Sequence, residues 1–139
     1  MTEPTIFGRI LDGEIPCHRV YEDEHLLAFL DIGPLSRGHT LIIPKECVAN
    51  VHELSDDAGA ALGRVLPRLC EAVRQATGAT AYNVLINNGQ EAGQVVMHVH
   101  MHIIPRFPDA GLRKTWIPGT LDDTDAKTLV TAIGEAMAS

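Results

Sequence analysis

The chain has 139 residues and a mass of 15.1 kDa, with 45% hydrophobic and 21% charged residues. This length suits one domain with its own core, so residues 1–139 are taken as a single domain, and the composition excludes a disordered or low-complexity chain. Eighteen acidic residues against eleven Lys and Arg residues give a net charge of -7. That charge argues against a nucleic-acid-binding protein, because such binding depends on clustered cations that displace counterions.

The cysteines and the N-terminal residues indicate a compartment. Cys17, Cys47 and Cys70 form no Cys-x-x-Cys pair, which is typical of free thiols in a reducing environment. Acidic residues stand where a signal peptide needs an apolar stretch, and no run approaches the roughly 20 apolar residues of a membrane span. We therefore expect a cytoplasmic protein that does not bind a membrane.

The first predicted elements are a short mixed segment over 5–10 and a β-hairpin formed by 18–21 and 25–31. A third strand is predicted over 38–43, where β-branched residues follow a glycine. We expect this strand to end at Pro44, because proline lacks the N–H that a ladder needs.

A long helix is predicted after the third strand. Ser55 can cap it, apolar residues recur at helical spacing, and Gly78 ends it, while Pro67 is expected to kink it near Gly63. Two further strands are predicted over 80–86 and 95–104, the second ending at Pro105, and a closing helix over 122–137. This order favours an α+β domain with an antiparallel sheet.

Three of the seven histidines, His98, His100 and His102, fall within five residues. Alternate side chains of a strand point to the same face, so we expect the three imidazoles on one side and the apolar residues between them on the other. This pattern predicts a strand whose apolar face packs against the core and whose histidine face lines a functional site.

Three interpretations of this cluster are possible. Three histidines buried for packing alone would each need hydrogen-bond partners. A zinc site needs three or four ligands, and His39, His52 and Cys47 are not at an obvious ligand spacing. We favour the third interpretation, nucleophilic catalysis, because an imidazole that is largely neutral at pH 7 can attack phosphorus.

The polar segment 87–94 joins the last two predicted strands and contains two glycines. Glycine permits backbone conformations in which consecutive N–H groups converge on an anion, although the same segment could be a simple hairpin loop. Beside the histidines it favours a phosphate ester or phosphoramide site with a histidine nucleophile.

The residues HVHMHII at 98–104 resemble the signature of the histidine triad (HIT) superfamily, His-x-His-x-His-x-x with apolar x. The resemblance extends over about 5–106, which leaves 107–139 as a C-terminal extension. It implies a HIT-like α+β fold with a five-stranded antiparallel sheet and two main helices. It also implies a homodimer in which two sheets join into one of ten strands.

The resemblance implies a role for each matched residue. His100 matches the nucleophile that attacks the α-phosphorus of a nucleotide and forms a nucleotidyl-histidine intermediate, which water then hydrolyses. His98 and His102 match residues that orient the nucleophile and bind phosphate, and His39 matches a histidine that faces the same site. Asp31 matches the acidic residue that accepts hydrogen bonds from the ribose hydroxyls. Phe7, Ile10 and Ile32 match apolar positions around the base, and Asn87, Gly93, Gln94 and Val95 match the phosphate loop.

The chain also departs from the family pattern. Zinc-carrying members have Cys-x-x-Cys near the start and a histidine after Pro-Lys, where this chain has Thr5, Gly8 and Cys47. We therefore expect no structural zinc and no cofactor. The segment 5–8 resembles the Hint branch of nucleoside phosphoramidases, but Val95 replaces the Ser or Thr that could help to protonate a leaving amine. Trp116 begins a Trp-Ile-Pro-Gly segment that is followed by an extra helix-like tail.

The function expected from the resemblance is hydrolysis of P–N or phosphoanhydride bonds in AMP- or GMP-type conjugates, purine nucleoside 5'-phosphoramidates above all. Two alternatives stay open. The protein could be a dinucleoside polyphosphate hydrolase, or a nucleotide-binding regulator whose hydrolysis is incidental.

Overall fold

A computed structural model describes residues 4–112 and 116–138 of the chain. One antiparallel sheet of five strands forms its centre: β1 (Arg19–Glu22), β2 (Leu26–Leu30), β3 (Thr40–Pro44), β4 (Ala81–Ile86) and β5 (Met101–Arg106). The strand order is β1-β2-β3-β5-β4, so β5 lies inside the sheet and β4 lies at an edge. The predicted α+β fold with a five-stranded antiparallel sheet is confirmed.

Three helices accompany the sheet: α1 (Ile6–Leu11), α2 (Asp56–Thr77) and α3 (Asp123–Ala138). The predicted ends of α2 are confirmed, because the Ser55 hydroxyl accepts a hydrogen bond from the Ala58 amide at 3.2 Å and Gly78 ends the helix at φ 75°. The helix continues through Pro67 without a break in its assignment. The mixed segment predicted at the start is α1, which the Thr5 hydroxyl caps by accepting from the Gly8 amide.

The two faces of the sheet have different coverings. Helices α2 and α3 pack over one face, where Leu30, Ile42, Leu69, Ile103 and Leu129 are fully buried. The opposite face carries α1 over a smaller cluster that includes Phe7, Phe29 and Leu41. Strand β2 is buried on both sides because it lies between these layers. The second face is only partly covered, which leaves room for a site.

The prediction of a strand over 95–104 is wrong about where the strand begins, because β5 begins at Met101. His98 and His100 precede β5, and only His102 lies on it. The segment before β5 bonds to the loop after β3 instead of to a ladder, since the Val99 amide donates to the Val48 carbonyl at 2.9 Å. The three histidines therefore do not project from one strand.

The third strand ends at Pro44 as predicted, whereas β5 continues one residue past Pro105 and ends at Arg106. Each proline loses only its own N–H and keeps a carbonyl that accepts a hydrogen bond. The Pro105 carbonyl accepts from the Ser36 hydroxyl at 2.6 Å, and the Pro44 carbonyl lies 2.8 Å from His98 Nε2. Both carbonyls are thus tied to polar side chains in the interior.

Among the described helices, none has the length and apolar character that crossing a membrane requires.

Candidate active site

A cavity of about 690 Å³ opens on the sheet face that carries α1. Its volume suits a small-molecule ligand of nucleotide size. Helix α1, the loop after β2, the segment 87–96 and the residues Trp116 and Pro118 form its walls. Most of the lining is apolar, and the side chains of Asp31, Asn87, His100 and His102 are among its polar groups.

Strand pairing brings His39 and His102 together. Leu41 on β3 pairs with His102 on β5, and the Asp31 amide donates to the His39 carbonyl at 2.9 Å. Because alternate residues of a strand face the same side, His39 and Leu41 share the cavity face with His102. The sheet thus collects side chains from three strand regions that are far apart in the chain.

Hydrogen bonds fix the tautomers of this pair. The Leu35 amide donates to His39 Nδ1 at 3.0 Å, so the neutral His39 ring carries its proton on Nε2. His39 Nε2 lies 2.8 Å from His102 Nδ1, which therefore accepts. The His102 proton is consequently on Nε2, an N–H with no partner among the described residues and available to a ligand.

Burial keeps both rings neutral. His39 is 1% exposed and His102 is 5% exposed. Burial, with a smaller contribution from His100, lowers the pKa of His39 to about 4. Burial and the neighbouring His39 and His100 lower the pKa of His102 to about 3, against a smaller opposing effect of Asp31. At pH 7 the pair therefore donates hydrogen bonds without carrying positive charge.

His100 has the opposite tautomer to His102. Its Nδ1 lies 2.8 Å from the His98 carbonyl, which can only accept, so Nδ1 carries the proton and Nε2 keeps its lone pair. Burial lowers the pKa of His100, while the bond to the His98 carbonyl and the charge of Asp31 oppose that shift. The Phe7 and His102 rings each lie 4.9 Å from the His100 ring and confine it. The arrangement suits a nucleophile.

His98 points away from the cavity. It is 1% exposed, does not line the cavity, and donates from Nε2 to the Pro44 carbonyl at 2.8 Å. Burial lowers its pKa. The expectation that His98 shares a face with His100 and His102 is therefore wrong. The His98 side chain instead links the segment before β5 to strand β3 by a hydrogen bond.

The side chains predicted for the base and ribose lie around one part of the cavity. Phe7 and Ile10 of α1 and Ile32 after β2 line the wall together with Asp31. Asp31 Oδ1 accepts from the Gly33 amide at 2.8 Å, and Oδ2 lies 3.5 Å from His39 Nε2. The apolar wall and the carboxylate are thus adjacent.

The predicted phosphate loop is divided between lining and support. Asn87, Gly93 and Val95 line the cavity, and Gly93 has φ 97°, a left-handed conformation that favours glycine. Gln94 is buried and does not line it: its side chain accepts from the Gly89 amide at 2.7 Å and donates to the Ala49 carbonyl at 2.7 Å. Gln94 therefore shapes the loop.

Sequence reasoning assigned no role to part of the wall. The Trp116 ring lies 5.0 Å from the His102 ring and 5.7 Å from the His39 ring, nearly perpendicular to both. Leu85 also lines the cavity, and strand alternation on β4 could have indicated it. No local pattern signals the position of Trp116, because its contacts depend on how the chain folds back after β5.

Asp31, His39 and His102 also form a possible metal-binding group, since one ligand atom from each lies within 4.8 Å of the others. Two imidazoles and a carboxylate are a donor set that zinc uses. Here the Leu35 amide already occupies the Nδ1 lone pair of His39, so Nε2 carries a proton where a metal would need a lone pair. The hydrogen bonds favour a proton-donating pair over a metal site.

Comparison with known proteins matches residues 12–109 to the HIT domain. The protein hit of Bacillus subtilis is 48% identical over 105 residues, which cover 76% of this chain and 72% of that protein. The adenosine 5'-monophosphoramidase hnt1 of Schizosaccharomyces pombe is 45% identical over 135 residues, 96% of each chain. The solved structure of a hypothetical histidine triad nucleotide-binding protein from Sulfolobus tokodaii has a TM-score of 0.85 and 32% identity, covering 95% of this chain and 91% of that chain.

Proposed function

This chain belongs to the HIT domain family, and we propose on that premise that it hydrolyses purine nucleoside 5'-phosphoramidates and related AMP conjugates with His100 as nucleophile. The observation that carries the proposal is the bond from His100 Nδ1 to the His98 carbonyl, which leaves Nε2 unprotonated on a ring that lines the cavity. A relative that is named an adenosine 5'-monophosphoramidase supports the choice of substrate.

The reaction has two steps. His100 Nε2 attacks the α-phosphorus, the Nε2–P bond forms, and the bond to the leaving group breaks, while a leaving amine takes up one proton from solvent. Water then attacks the same phosphorus, the Nε2–P bond breaks, and the water proton passes to solvent. The products are the nucleoside monophosphate and the free amine, and His100 returns to its neutral form.

The His39–His102 pair assists this chemistry. The N–H on His102 Nε2 can donate to a phosphate oxygen and stabilise the charge that collects there during attack. Both rings are neutral at pH 7, so they do not oppose the positive charge that His100 gains when it bonds to phosphorus. The pair therefore aids the attack without repelling the intermediate.

We propose that the same cavity recognises the nucleotide. The Asp31 carboxylate can accept hydrogen bonds from both ribose hydroxyls, and Phe7, Ile10 and Ile32 give the base an apolar wall. Phosphate oxygens would contact Asn87 and the backbone around Gly93 and Val95, in a loop that Gln94 holds. We assign His98 the role of holding His100, through its carbonyl, in the reactive tautomer.

One observation favours a second candidate, dinucleoside polyphosphate hydrolysis. Val95 lies in the predicted phosphate loop, is 87% exposed and offers no hydroxyl to protonate a departing amine. A phosphate leaving group is a weaker base than an amine and departs with less help. A regulator that binds nucleotides with only incidental turnover is the third possibility, and the experiment below includes it as an outcome.

We also propose that the protein acts as a homodimer that joins two β4 edges into a ten-stranded sheet. Tyr82 and Val84 on β4 are 41% and 39% exposed, and unpaired strand edges with apolar side chains tend to pair. Asn83 Oδ1 on the same strand is buried with no partner among the described residues. A neighbouring β4 would cover the apolar side chains and could satisfy that oxygen.

Sedimentation equilibrium on the wild-type protein and on Val84→Arg tests the dimer, with Ile117→Arg, at an exposed residue outside β4, as the control. We expect a wild-type dimer that Val84→Arg dissociates and Ile117→Arg does not. A monomeric wild-type protein, or a dimer indifferent to Val84→Arg, would contradict the proposed interface.

The partner we propose is a small-molecule nucleotide, not a nucleic acid, in keeping with the net charge of -7. Cys17, Cys47 and Cys70 are free thiols, which fits the proposed cytoplasmic location.

The function is tested by parallel turnover of adenosine 5'-phosphoramidate and diadenosine tetraphosphate, with released AMP quantified for the wild type, His100→Ala and His52→Ala. His52 is exposed and outside the cavity, which makes it the matched control. We expect phosphoramidate cleavage that His52→Ala retains and His100→Ala loses by about a thousandfold or more. Preference for the tetraphosphate would support the second candidate, and binding of both without turnover would support the regulator.

A further inference from the structure

The cavity wall is completed by a segment outside residues 12–109, the part of the chain that matches the HIT domain. We call residues 116–125 the strap. Its first residue, Trp116, ends a row of rings in which neighbours lie about equally far apart. The ring distances are 4.9 Å for Phe7–His100, 4.9 Å for His100–His102 and 5.0 Å for His102–Trp116.

Backbone hydrogen bonds fasten the strap to the loop between β2 and β3. The Gly119 amide donates to the Pro34 carbonyl at 2.7 Å, and the Leu121 amide donates to the Ile32 carbonyl at 3.3 Å. This loop begins at Asp31 and leads to His39. The strap is therefore bonded to the same loop that carries two of the polar side chains of the site.

A side-chain bond adds a second attachment. Arg37 Nε lies 3.0 Å and 2.9 Å from the two carboxylate oxygens of Asp125, and its Nη2 lies 2.8 Å from Oδ1. Such a forked guanidinium–carboxylate contact restrains orientation as well as distance. Helix α3, in which Asp125 lies, packs on α2 and β1, so the C-terminal part of the strap is also attached to the helical layer.

Trp116 lies against both rings of the His39–His102 pair, at 5.7 Å and 5.0 Å. The other titratable groups near the pair are Asp31, from the end of β2, and His100, from the segment before β5. Strand β4 presents Leu85 to His102 and adds no charge. Water that reached the pair could bond to either ring and compete with the 2.8 Å contact between them.

We propose that Trp116 is a positioning residue that shields the His39–His102 hydrogen bond from water and so keeps the His102 Nε2–H directed at the substrate phosphate, and that the Arg37–Asp125 contact holds Trp116 there. This inference rests on the proposed function for its catalytic consequence. The effect on the two rings does not depend on which substrate is cleaved.

Turnover is compared for the wild type, Trp116→Ala, Trp116→Phe and Ile117→Ala. Ile117 is the next residue, is exposed and does not line the cavity, so it controls for loss of apolar surface in the strap. We expect Trp116→Ala to lower kcat about tenfold or more with little change in KM, since small misplacements of a catalytic group are costly. Trp116→Phe should recover most of the loss, and Ile117→Ala should match the wild type.

The pH profile separates positioning from a general structural effect. Water admitted by Trp116→Ala relieves the desolvation that holds the two histidines neutral. The acidic limb of kcat/KM should therefore move to higher pH in Trp116→Ala and stay in place in Ile117→Ala. An unchanged limb and unchanged kcat in Trp116→Ala would overturn the proposal.

A spectroscopic test is independent of turnover. In protein with ¹⁵N-labelled histidine, the imidazole nitrogen shifts report which nitrogen of His39 and His102 carries the proton. We expect a single Nε2–H tautomer for both in the wild type and a mixture, or a raised pKa, in Trp116→Ala. Unchanged shifts and pKa values in Trp116→Ala would also overturn it, whereas a clear effect in a protein that cleaves no substrate would contradict the proposed function alone.

Arg37→Gln tests the strap from a distance and guards against a Trp116 variant that fails to fold. Its control is Arg74→Gln, since Arg37 and Arg74 are both 42% exposed and both bond to a carboxylate, of Asp125 and Glu71 respectively. Arg37→Gln should lower kcat and alter the His102 nitrogen shifts in the same direction as Trp116→Ala. Identical behaviour of the two arginine variants would contradict the role given to the Arg37–Asp125 contact.

Discussion

His39 Nε2 and His102 Nδ1 lie 2.8 Å apart beneath the cavity, in a hydrogen bond whose direction the Leu35 amide determines. Because a backbone N–H can only donate, His39 must accept at Nδ1 and donate at Nε2. One amide thereby assigns the proton positions of two buried rings. The nucleophile nearby, His100, owes its tautomer to another backbone group, the His98 carbonyl.

Removing His39 should separate its role from substrate binding. We expect His39→Ala to lower kcat by about ten- to a hundredfold through loss of His102 orientation, while KM changes little. His39→Gln, whose amide can donate to His102, should lose less. Steady-state kinetics on adenosine 5'-phosphoramidate measure both, and a purely KM effect would contradict this role.

Stability should fall as the solution becomes acidic. The pKa values of His39 and His102 drop from 6.5 to about 4 and about 3 on folding, so the unfolded chain binds more protons between pH 6.5 and these values. For each of these two rings, the free energy of unfolding then falls by about 1.4 kcal/mol for every unit by which the pH drops between 6.5 and the folded-state pKa. The stability that the two neutral rings contribute is fully present above pH 6.5, and it is lost as the pH falls to the pKa of each ring in the folded protein.

Urea unfolding of the wild type and of His102→Gln at several pH values between 7 and 4.5 measures this effect. The dependence on pH should be shallower in the variant, which has one titrating ring fewer. Equal slopes in the two proteins would show that the neutral state of His102 does not contribute to acid sensitivity.

Asp31 should discriminate substrates by their ribose. We expect Asp31→Asn to raise KM for a ribonucleotide conjugate about tenfold, because a charge-assisted hydrogen bond to the sugar hydroxyls is lost. The effect on the 2',3'-dideoxy analogue should be much smaller, because that analogue has no sugar hydroxyls with which Asp31 could form a hydrogen bond. Equal effects on both substrates would place the role of Asp31 elsewhere, for instance in its contact with His39.

Val95 should determine how strongly the rate depends on the leaving group. Val95→Ser supplies a hydroxyl near the phosphate loop, and we expect it to raise turnover of an alkylamine phosphoramidate several-fold while leaving diadenosine tetraphosphate unaffected. Val95→Ala removes the same volume without adding a hydroxyl and is the control. If both variants behave alike, volume and not proton donation is the relevant property. The valine is largely exposed, so neither change should disturb folding.

Local patterns predicted much of the fold. The hairpin β1–β2, the caps of α2 at Ser55 and Gly78, strand β4 and helix α3 all follow from propensity, alternation and capping chemistry. Strand alternation failed for His98 and His100 because long-range bonds, such as that between Val99 and Val48, replace the ladder before β5. Such bonds leave no signal in a short stretch of sequence.

The residues that line the cavity were predictable in part. The cavity brings together Asp31, His100 and His102 with the apolar residues chosen from the family resemblance. The sequence did not predict the hydrogen bonds that hold the loops of the site in place, such as the bond from Gln94 to the Ala49 carbonyl. It also did not predict the position of Trp116 against His102. Both depend on where distant segments meet, which only the three-dimensional structure determines.

The most direct test of the account is to trap the covalent intermediate. The wild type and His100→Ala are mixed with a phosphate-labelled adenosine 5'-phosphoramidate, quenched within one turnover and digested, and the labelled peptide is identified by mass spectrometry. The account predicts a nucleotidyl group on His100 in the wild type and none on the protein in the variant. A label on another residue, or rapid turnover by His100→Ala, would contradict it.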